Sequence, residues 1–235
     1  DEITAWRRDI HENPEILYET HRTSALVAEK LKSLHAEVAG AKSIILVTAH
    51  WETERPTMTI SERPGMLYDY NGFPEETYRI KYPAPGAPAL ANKVANALSA
   101  RGFQTDFDQE RGFDHGTFVP MMLIRPEADI PILQMSVLSS LDPAQHLEMG
   151  RALADVLTDD IVLIGSGFSF HNLKALTGRL NEEDAAQGQN LAVAFHDWLD
   201  GIVCESELSA EARDRALNDW AAAPGARFCQ PREEH

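Results

Sequence analysis

The stretch that decides the fold is Ser43-Ile44-Ile45-Leu46-Val47-Thr48-Ala49, a short and continuous apolar run rich in β-branched residues. A run of this kind, without alternation of polar and apolar positions, is typical of a strand that is buried on both faces of a sheet. Because helices must cover both faces of such a strand, it belongs near the centre of a parallel sheet. The sequence therefore predicts a central parallel strand here.

Outward from this strand, the chain alternates strand-like and helix-like segments. Comparable apolar runs lie at 130–137 and 161–164. Apolar residues at helical spacing cover 87–100, 146–157 and 191–199. Strands that alternate with helices predict an α/β fold with a mostly parallel central sheet flanked by helices.

The two segments that flank the first strand differ from it in hydrophobic pattern and in composition. Residues 1–39 predict a short helical N-terminal appendage, with one helix that ends at Pro14 and a second around 26–34. Residues 55–88 are poor in helical pattern and rich in Pro, Gly and Tyr. A loop of this length and aromatic content favours the rim of a binding site.

The composition excludes several classes of function. The 235 residues carry 21 Lys and Arg against 37 Asp and Glu, a net charge of −16, and no basic cluster that would bind nucleic acid or an anionic membrane surface. No apolar run is long enough to cross a membrane. Cys204 and Cys229 are too few and too far apart for a disulfide scaffold or a four-thiolate zinc site. With no secretory signal visible, the cytoplasm is the expected location.

Four histidines lie where chemistry is expected. His50 directly follows the central strand, and His171 follows the strand-like run at 161–164. In open α/β sheets, ligands bind outside the carboxyl ends of the strands. His115 lies between glycines beside Asp114, and His235 is the last residue. For each of them, a structural or surface role is the alternative. The remaining histidines are expected to be structural: His11, His21, His35, His146 and His196.

The sequence patterns narrow the chemistry further. The nucleophile elbow, the phosphate-binding loop, the dinucleotide fingerprint and the His-Glu-x-x-His zinc motif are all missing from the chain. What remains is a mononuclear metal site built from dispersed imidazoles, with or without a carboxylate, and a further histidine as acid or base.

Seven stretches of the chain carry a resemblance to a known family. They are Thr48-Ala49-His50-Trp51, Tyr70-Asn71-Gly72-Phe73-Pro74, Tyr82-Pro83-Ala84-Pro85-Gly86, Gly112-Phe113-Asp114-His115-Gly116, His146-Leu147-Glu148-Met149-Gly150, His171-Asn172-Leu173 and Pro231-Arg232-Glu233-Glu234-His235. Through them, residues from about 41 to 235 resemble the class III extradiol ring-cleavage dioxygenases, specifically the 4,5-DOPA extradiol dioxygenase branch.

The resemblance implies a function and a set of site residues. It implies cleavage of a catechol-type, DOPA-like substrate by O2 at one Fe(II) or Zn(II) ion. His50 and His235 would be metal ligands, and His171 would be a further ligand or the active-site base. His115 would act as an acid or base, or contact the substrate.

The N-terminal residues resemble a different family. Trp6-Arg7-Arg8-Asp9-Ile10-His11-Glu12-Asn13-Pro14-Glu15 is similar to the opening helices of hippurate-hydrolase-type amidohydrolases, a likeness that extends over residues 1–33. We therefore expect a helical segment at 1–40 and a dioxygenase-like domain at 41–235. That domain lacks the family's first strand, with its ligand histidine in a His-Gly-Ser-Pro type motif, and its C-terminal end.

The missing ligand leaves three hypotheses open. The first is an extradiol dioxygenase with weak activity, unless His11 or His35 replaces the ligand. The second is a metal-dependent amidohydrolase, in keeping with the N-terminal likeness. The third is a non-catalytic remnant of the dioxygenase fold. Metal content and oxygen uptake with catechols distinguish them.

Overall fold

The computed structural model describes residues 21–204 and 207–234. Within these ranges the chain forms two compact units, one made mainly of Leu31–Gly167 and the other mainly of Phe168–Glu233. Each unit is described by itself. The domain division at residue 40 that the sequence suggests stays a prediction, and the helix expected before Pro14 lies outside the described residues.

The first unit is built on a sheet whose described strands follow the order β3-β2-β4-β1-β5. The central strand β1 pairs in parallel with β4 and with β5, and β2 pairs in parallel with β3. A single antiparallel bridge joins β2 to β4, between Met58 and Met135. The strands are β1 (Ser43–Thr53), β2 (Thr57–Thr59), β3 (Asp106–Asp108), β4 (Ile132–Leu138) and β5 (Ile161–Ser166). The predicted mostly parallel α/β sheet is therefore confirmed.

The first apolar run forms the central strand for the reason the sequence suggests. Ile44, Ile45 and Leu46 are fully buried. Ile44 and Leu46 belong to one hydrophobic cluster and Ile45 to another, because successive side chains of a strand point to opposite faces. The strand at 161–166 lies at the edge of the sheet and is partly exposed, with Leu163 39% accessible. Because β4 and β5 pair with β1 on its two sides, β1 is the central strand of this unit.

Helices cover both faces of the sheet. One cluster packs residues of α3 and α5 against Ile45, and the other packs residues of α4 against Ile44 and Leu46. The helices of the first unit are α2 (His35–Val38), α3 (Pro88–Ala100), α4 (His115–Ile124) and α5 (Pro143–Ala154), with a 3-10 turn at Glu75–Arg79. Helix α1 (His21–Ser33) precedes them in the chain, and its residues up to Lys30 are grouped with the second unit.

The predicted helices at 87–100 and 146–157 are present, the second displaced toward the N-terminus. Helix α5 begins at Pro143 because the Asp142 side chain accepts a hydrogen bond from the Ala144 amide at 2.8 Å and proline fits the first turn. Helix α4 was not predicted from the sequence. It contains Pro120 and is apolar on most sides, so it lacks an amphipathic pattern.

The second unit is helical in its described part. Besides most of α1, its helices are α6 (Leu173–Leu176), α7 (Glu182–Val203), α8 (Ala210–Asn218) and α9 (Ala226–Cys229), with a 3-10 turn at Trp220–Ala222. The pattern at 191–199 is thus part of a longer helix. Phe195 of α7 packs with Ala226 and Cys229 of α9. Among the described helices, none combines the length and apolar character needed to span a bilayer.

Candidate active site

The site begins at the carboxyl end of the central strand, where His50 lies. The pairing of β1 with β4 changes register between Thr48 and Glu52, so His50 stands in an irregular stretch of the strand. Such irregularities redirect side chains and recur beside active sites. The His50 amide donates a hydrogen bond to the Thr48 hydroxyl at 3.2 Å, which fixes the backbone there. His50 thus lies within β1, three residues before its end, and not after the strand as the sequence suggests. Its role in binding a ligand stays a prediction.

His115 is the first residue of helix α4, and Asp114 before it caps the helix. The Asp114 carboxylate accepts the Thr117 amide at 3.1 Å, the Thr48 hydroxyl at 3.0 Å and an Arg111 guanidinium nitrogen at 2.9 Å. Asp114 is fully buried, so these bonds compensate for the loss of water around its charge. One carboxylate thereby joins the start of α4 to the end of β1.

The rings of the two histidines are in contact at this junction. The ring centroids of His50 and His115 are 3.9 Å apart, with the planes inclined by 51°. Gly116 makes this approach possible, because a Cβ atom there would lie 2.6 Å from the Thr48 hydroxyl oxygen and 3.1 Å from Cδ2 of His50. A glycine at this position is therefore required by close packing rather than by its backbone angle.

Asp69 completes the cluster, from the loop between β2 and α3. Its Oδ1 accepts the His115 amide at 3.0 Å and lies 2.8 Å from ring Nδ1 of His115, while its Oδ2 lies 3.8 Å from Nδ1 of His50. Sequence analysis missed this residue. The available signal was its place next to the aromatic stretch that begins at Tyr70, but nothing in the sequence indicated which loop carboxylate turns inward.

The hydrogen bond between Asp69 and His115 shifts the pKa of both groups. For His115, the hydrogen bond that its ring donates to Asp69 raises the pKa; burial opposes this, and the charges of Asp69 and Asp114 add to the rise. Burial by itself would raise the pKa of Asp69, but the hydrogen bonds and charge of His115 outweigh it, and the pKa falls below its usual value. The carboxylate is therefore ionised, so Nδ1 of His115 carries the proton of the hydrogen bond.

The three side chains also have the composition of a metal site. His50, Asp69 and His115 each offer one ligand atom, and these atoms lie within 4.8 Å of one another. Ligand atoms about 2.0–2.2 Å from one ion are at most about 4.4 Å apart, so a small adjustment would bring all of them into contact with it. Two imidazoles and a carboxylate are the donor set of many non-haem Fe(II) sites. The residues present thus fit a single ion.

An aromatic loop forms one side of the site. The ring of Tyr70 meets the ring of His115 edge-on, with centroids 5.8 Å apart, and its hydroxyl donates to the Thr77 carbonyl at 2.7 Å. Phe73 packs edge-on against Tyr70 at 5.4 Å and is 54% exposed. This loop therefore places Tyr70 beside His115, with Phe73 packed on the side chain of Tyr70. Its role as the rim of a binding site stays a prediction.

His171 belongs to the second unit. Its amide donates to the Cys229 carbonyl at 2.8 Å, and the Asn172 side chain donates to the Phe228 carbonyl at 2.7 Å. These bonds hold the His171 segment beside residues 228–229, shortly before His235 in the chain. His235 itself lies outside the described residues, and the ligand roles of both histidines stay predictions.

Two of the histidines expected to be structural have backbone partners. His35 Nδ1 lies 3.0 Å from the Ile124 carbonyl oxygen, and its Nε2 lies 3.1 Å from a guanidinium nitrogen of Arg125. His146 Nε2 accepts the Leu138 amide at 3.0 Å. Both side chains connect secondary-structure elements, which is a structural role. His11 lies outside the described residues.

The family model and two relatives that match this chain are all described as dioxygenases. The family model described as the catalytic LigB subunit of aromatic ring-opening dioxygenase matches residues 15–235. The chain is 42% identical over 206 residues to dioxygenase tasH of Hapsidospora irregularis and 37% identical over 195 residues to a 4,5-DOPA dioxygenase extradiol of Beta vulgaris. It spans 63% and 69% of the lengths of these two relatives, and they cover 86% and 83% of this chain.

A solved structure extends the comparison to the fold. The crystal structure of an uncharacterized protein from Escherichia coli K12 superposes with a TM-score of 0.67 at 28% identity, covering 88% of this chain and 77% of that one. The family match begins at residue 15, inside the segment that resembles amidohydrolases. The amidohydrolase resemblance stays a prediction.

Proposed function

Since the chain belongs to the family of the catalytic LigB subunit of aromatic ring-opening dioxygenases, we propose that it cleaves a catechol ring beside the diol. Both atoms of O2 enter the product as the adjacent carbon–carbon bond breaks, so the reaction needs no external reductant. The observation that carries the proposal is the meeting of His50, Asp69 and His115 at the carboxyl end of the central strand.

One bound metal ion is part of the proposal. A non-haem Fe(II) ion with open coordination positions supplies the chemistry by which a diol and O2 react at one centre. We propose His50 as a ligand of this ion, with His171 and His235 as the other two. Fe(II) is the ion proposed for turnover, and Zn(II) is the alternative occupant of an imidazole-rich site.

Asp69 and His115 have a separate part in this proposal. Oδ1 of Asp69 already accepts two hydrogen bonds from His115, one from the amide and one from the ring. A carboxylate used in this way orients the imidazole and strengthens it as a base. Because Nδ1 carries the proton of that hydrogen bond, Nε2 of His115 is the atom that would accept a proton from a substrate hydroxyl.

A second ligand set follows from the same geometry. Asp69 and His115 could bind the ion together with His50, as a site of two imidazoles and one carboxylate. In this second ligand set the Asp69 carboxylate binds the metal ion. In the first set it binds only His115, by hydrogen bonds. Removal of the Asp69 charge distinguishes the two, as argued in the Discussion.

The substrate proposal rests on the aromatic loop and on the relatives. Tyr70 lies beside His115 and Phe73 packs on Tyr70, and such aromatic rings suit a flat aromatic substrate. The Beta vulgaris relative is named a 4,5-DOPA dioxygenase extradiol. L-DOPA is therefore the first substrate to test, followed by simpler catechols. The cytoplasmic location expected from the sequence stays a prediction.

The experiment combines metal analysis with oxygen uptake. The purified protein is loaded anaerobically with Fe(II) or Zn(II), its metal content is measured, and O2 consumption is followed with L-DOPA and with catechol. We expect one ion per chain and Fe(II)-dependent uptake of one O2 per catechol consumed. Hydrolysis of N-acyl amino acids with Zn(II) would favour the amidohydrolase hypothesis. Absence of both activities, with no bound metal, would favour the non-catalytic remnant.

A further inference from the structure

Arg111 connects the two chain segments that carry the site histidines. It lies after β3, and Asp108 fixes the turn before it by accepting the Arg111 amide at 2.8 Å. One of its guanidinium nitrogens donates to the Asp114 carboxylate at 2.9 Å and to the His50 carbonyl oxygen at 3.3 Å. The centre of the guanidinium lies 4.4 Å from the ring centroid of Trp51.

Resting on the proposed function, we propose that Arg111 is a positioning residue that sets the distance between His50 and His115. Asp114 precedes His115 in the chain, and Trp51 follows His50. The Arg111 guanidinium thus contacts a neighbour of each histidine. It binds the Asp114 carboxylate next to His115, and it binds the His50 carbonyl oxygen and the Trp51 indole on the other side. The two imidazole rings lie 3.9 Å apart between these attachments.

The contacts call for an arginine rather than for any positive charge. The side chain of Arg111 is 15% exposed and that of Asp114 is fully buried, so the pair is shielded from water. A lysine ammonium could neutralise Asp114, but it is a compact charge without a flat face and cannot stack on Trp51 while it bridges two acceptors. Charge compensation and positioning can therefore be separated by one substitution.

An unpaired donor on Arg111 argues that this side chain serves more than folding stability. Nε of Arg111 is buried and has no hydrogen-bond partner among the described residues. A buried donor without an acceptor destabilises a fold. The guanidinium nevertheless keeps this orientation, in which its other contacts reach both histidine-bearing segments. That orientation is the expected one if the spacing of the rings is what the arginine fixes.

The test compares Arg111→Lys with Arg101→Lys as a matched control. Arg101 links α3 to α5 on the surface through Asp155 at 2.9 Å and lies outside the proposed machinery. We expect Arg111→Lys to unfold at nearly the parent temperature, to lose about 10–100-fold in kcat and to change KM little. Arg101→Lys should match the parent in all three. Parent kcat in Arg111→Lys would overturn the inference.

A second readout needs neither metal nor turnover. In the metal-free protein, long-range proton–nitrogen NMR spectra report the ring environments of His50 and His115. We expect both sets of ring signals to shift in Arg111→Lys and to stay unchanged in Arg101→Lys. Unchanged ring signals in folded Arg111→Lys would contradict the positioning role. If the parent itself takes up no O2, the proposed function fails, and the inference is judged on these spectra alone.

A measurement on the parent covers the case in which Arg111→Lys does not fold. A guanidinium held by Asp114, His50 and Trp51 should rotate slowly about its Cζ–Nε bond, so its terminal nitrogens should give separate NMR signals. Averaged signals for Arg111, like those of the exposed Arg63, would show a free guanidinium and overturn the proposal.

Discussion

Asp69 accepts both the amide and the ring proton of His115 with the same carboxylate oxygen, at 3.0 Å and 2.8 Å. This relationship fixes the imidazole at the first residue of a helix and directs its other nitrogen away from the bond. It also makes Asp69 the residue on which the two proposed ligand sets differ. The first prediction follows from this difference.

Asp69→Asn should retain bound metal and lose about 10–100-fold in kcat, because the amide cannot hold His115 with the charge of a carboxylate. Metal content and O2 uptake are measured on the same sample. Asp106→Asn, which alters an exposed pair with Arg55, is the control. Loss of the ion from Asp69→Asn alone would instead make the carboxylate a ligand and support the second set.

His171→Ala should reduce turnover by about 10²–10⁴-fold if the imidazole is a base, and should also lower the metal content if it is a ligand. Lys174→Ala, in the short helix that follows, is the control for local disturbance. The check is Fe(II)-dependent O2 uptake together with metal analysis. Turnover at the parent rate in His171→Ala would exclude both roles.

Gly116→Ala should destabilise the protein by about 1–3 kcal/mol and displace His50, because the new methyl group meets the Thr48 hydroxyl oxygen at 2.6 Å. Gly150→Ala is the matched control, since its Cβ in α5 meets nothing within 4 Å. Alanine there should stabilise the helix by about 0.5–1 kcal/mol. Chemical unfolding measures both. Equal stability of the two variants would contradict the packing argument.

Phe73→Ala should raise KM for L-DOPA about 2–10-fold with little effect on kcat. The KM should rise because an aromatic pair between Phe73 and the substrate would contribute about 0.5–1.5 kcal/mol to binding. The kcat should change little because Phe73 contacts Tyr70 and not the reacting groups. Phe107→Ala removes another exposed phenylalanine, in β3, and should leave both constants unchanged. Steady-state kinetics on the three proteins decide. An unchanged KM in Phe73→Ala would remove Phe73 from the substrate site.

Alkaline stability should depend on Tyr82. Burial, with the charge of Asp129, raises the pKa of its phenol to about 12. The hydroxyl donates to the Arg125 carbonyl at 2.8 Å. Since the pKa in the fold lies above the unfolded value of about 10, the stabilisation is complete below pH 10 and is lost as pH rises toward 12. The free energy of unfolding of Tyr82→Phe should therefore fall less steeply over this range. Parallel curves would refute the assignment.

The sequence predicts the strand that carries the site better than it predicts the side chains that surround His50. The run at 43–49 places His50 at the carboxyl end of a central strand, because hydrophobic pattern alone decides which strand is buried on both faces. The hydrophobic pattern does not predict helix α4 or the inward position of Asp69. The helix is apolar on most sides and contains Pro120, and Asp69 lies in a loop without periodicity.

The sequence by itself determined the α/β class, the central strand and the family resemblance, and it made His50 and His115 candidate site residues. Only the tertiary structure decided that Asp69 is their partner and that Arg111 bridges the segments beside them. The physical reason is that periodicity encodes burial along one element, whereas hydrogen bonds between side chains from different loops depend on distances set by packing. Asp69 meets His115, and Arg111 meets His50 and Asp114, because the sheet and α4 bring these segments of the chain together.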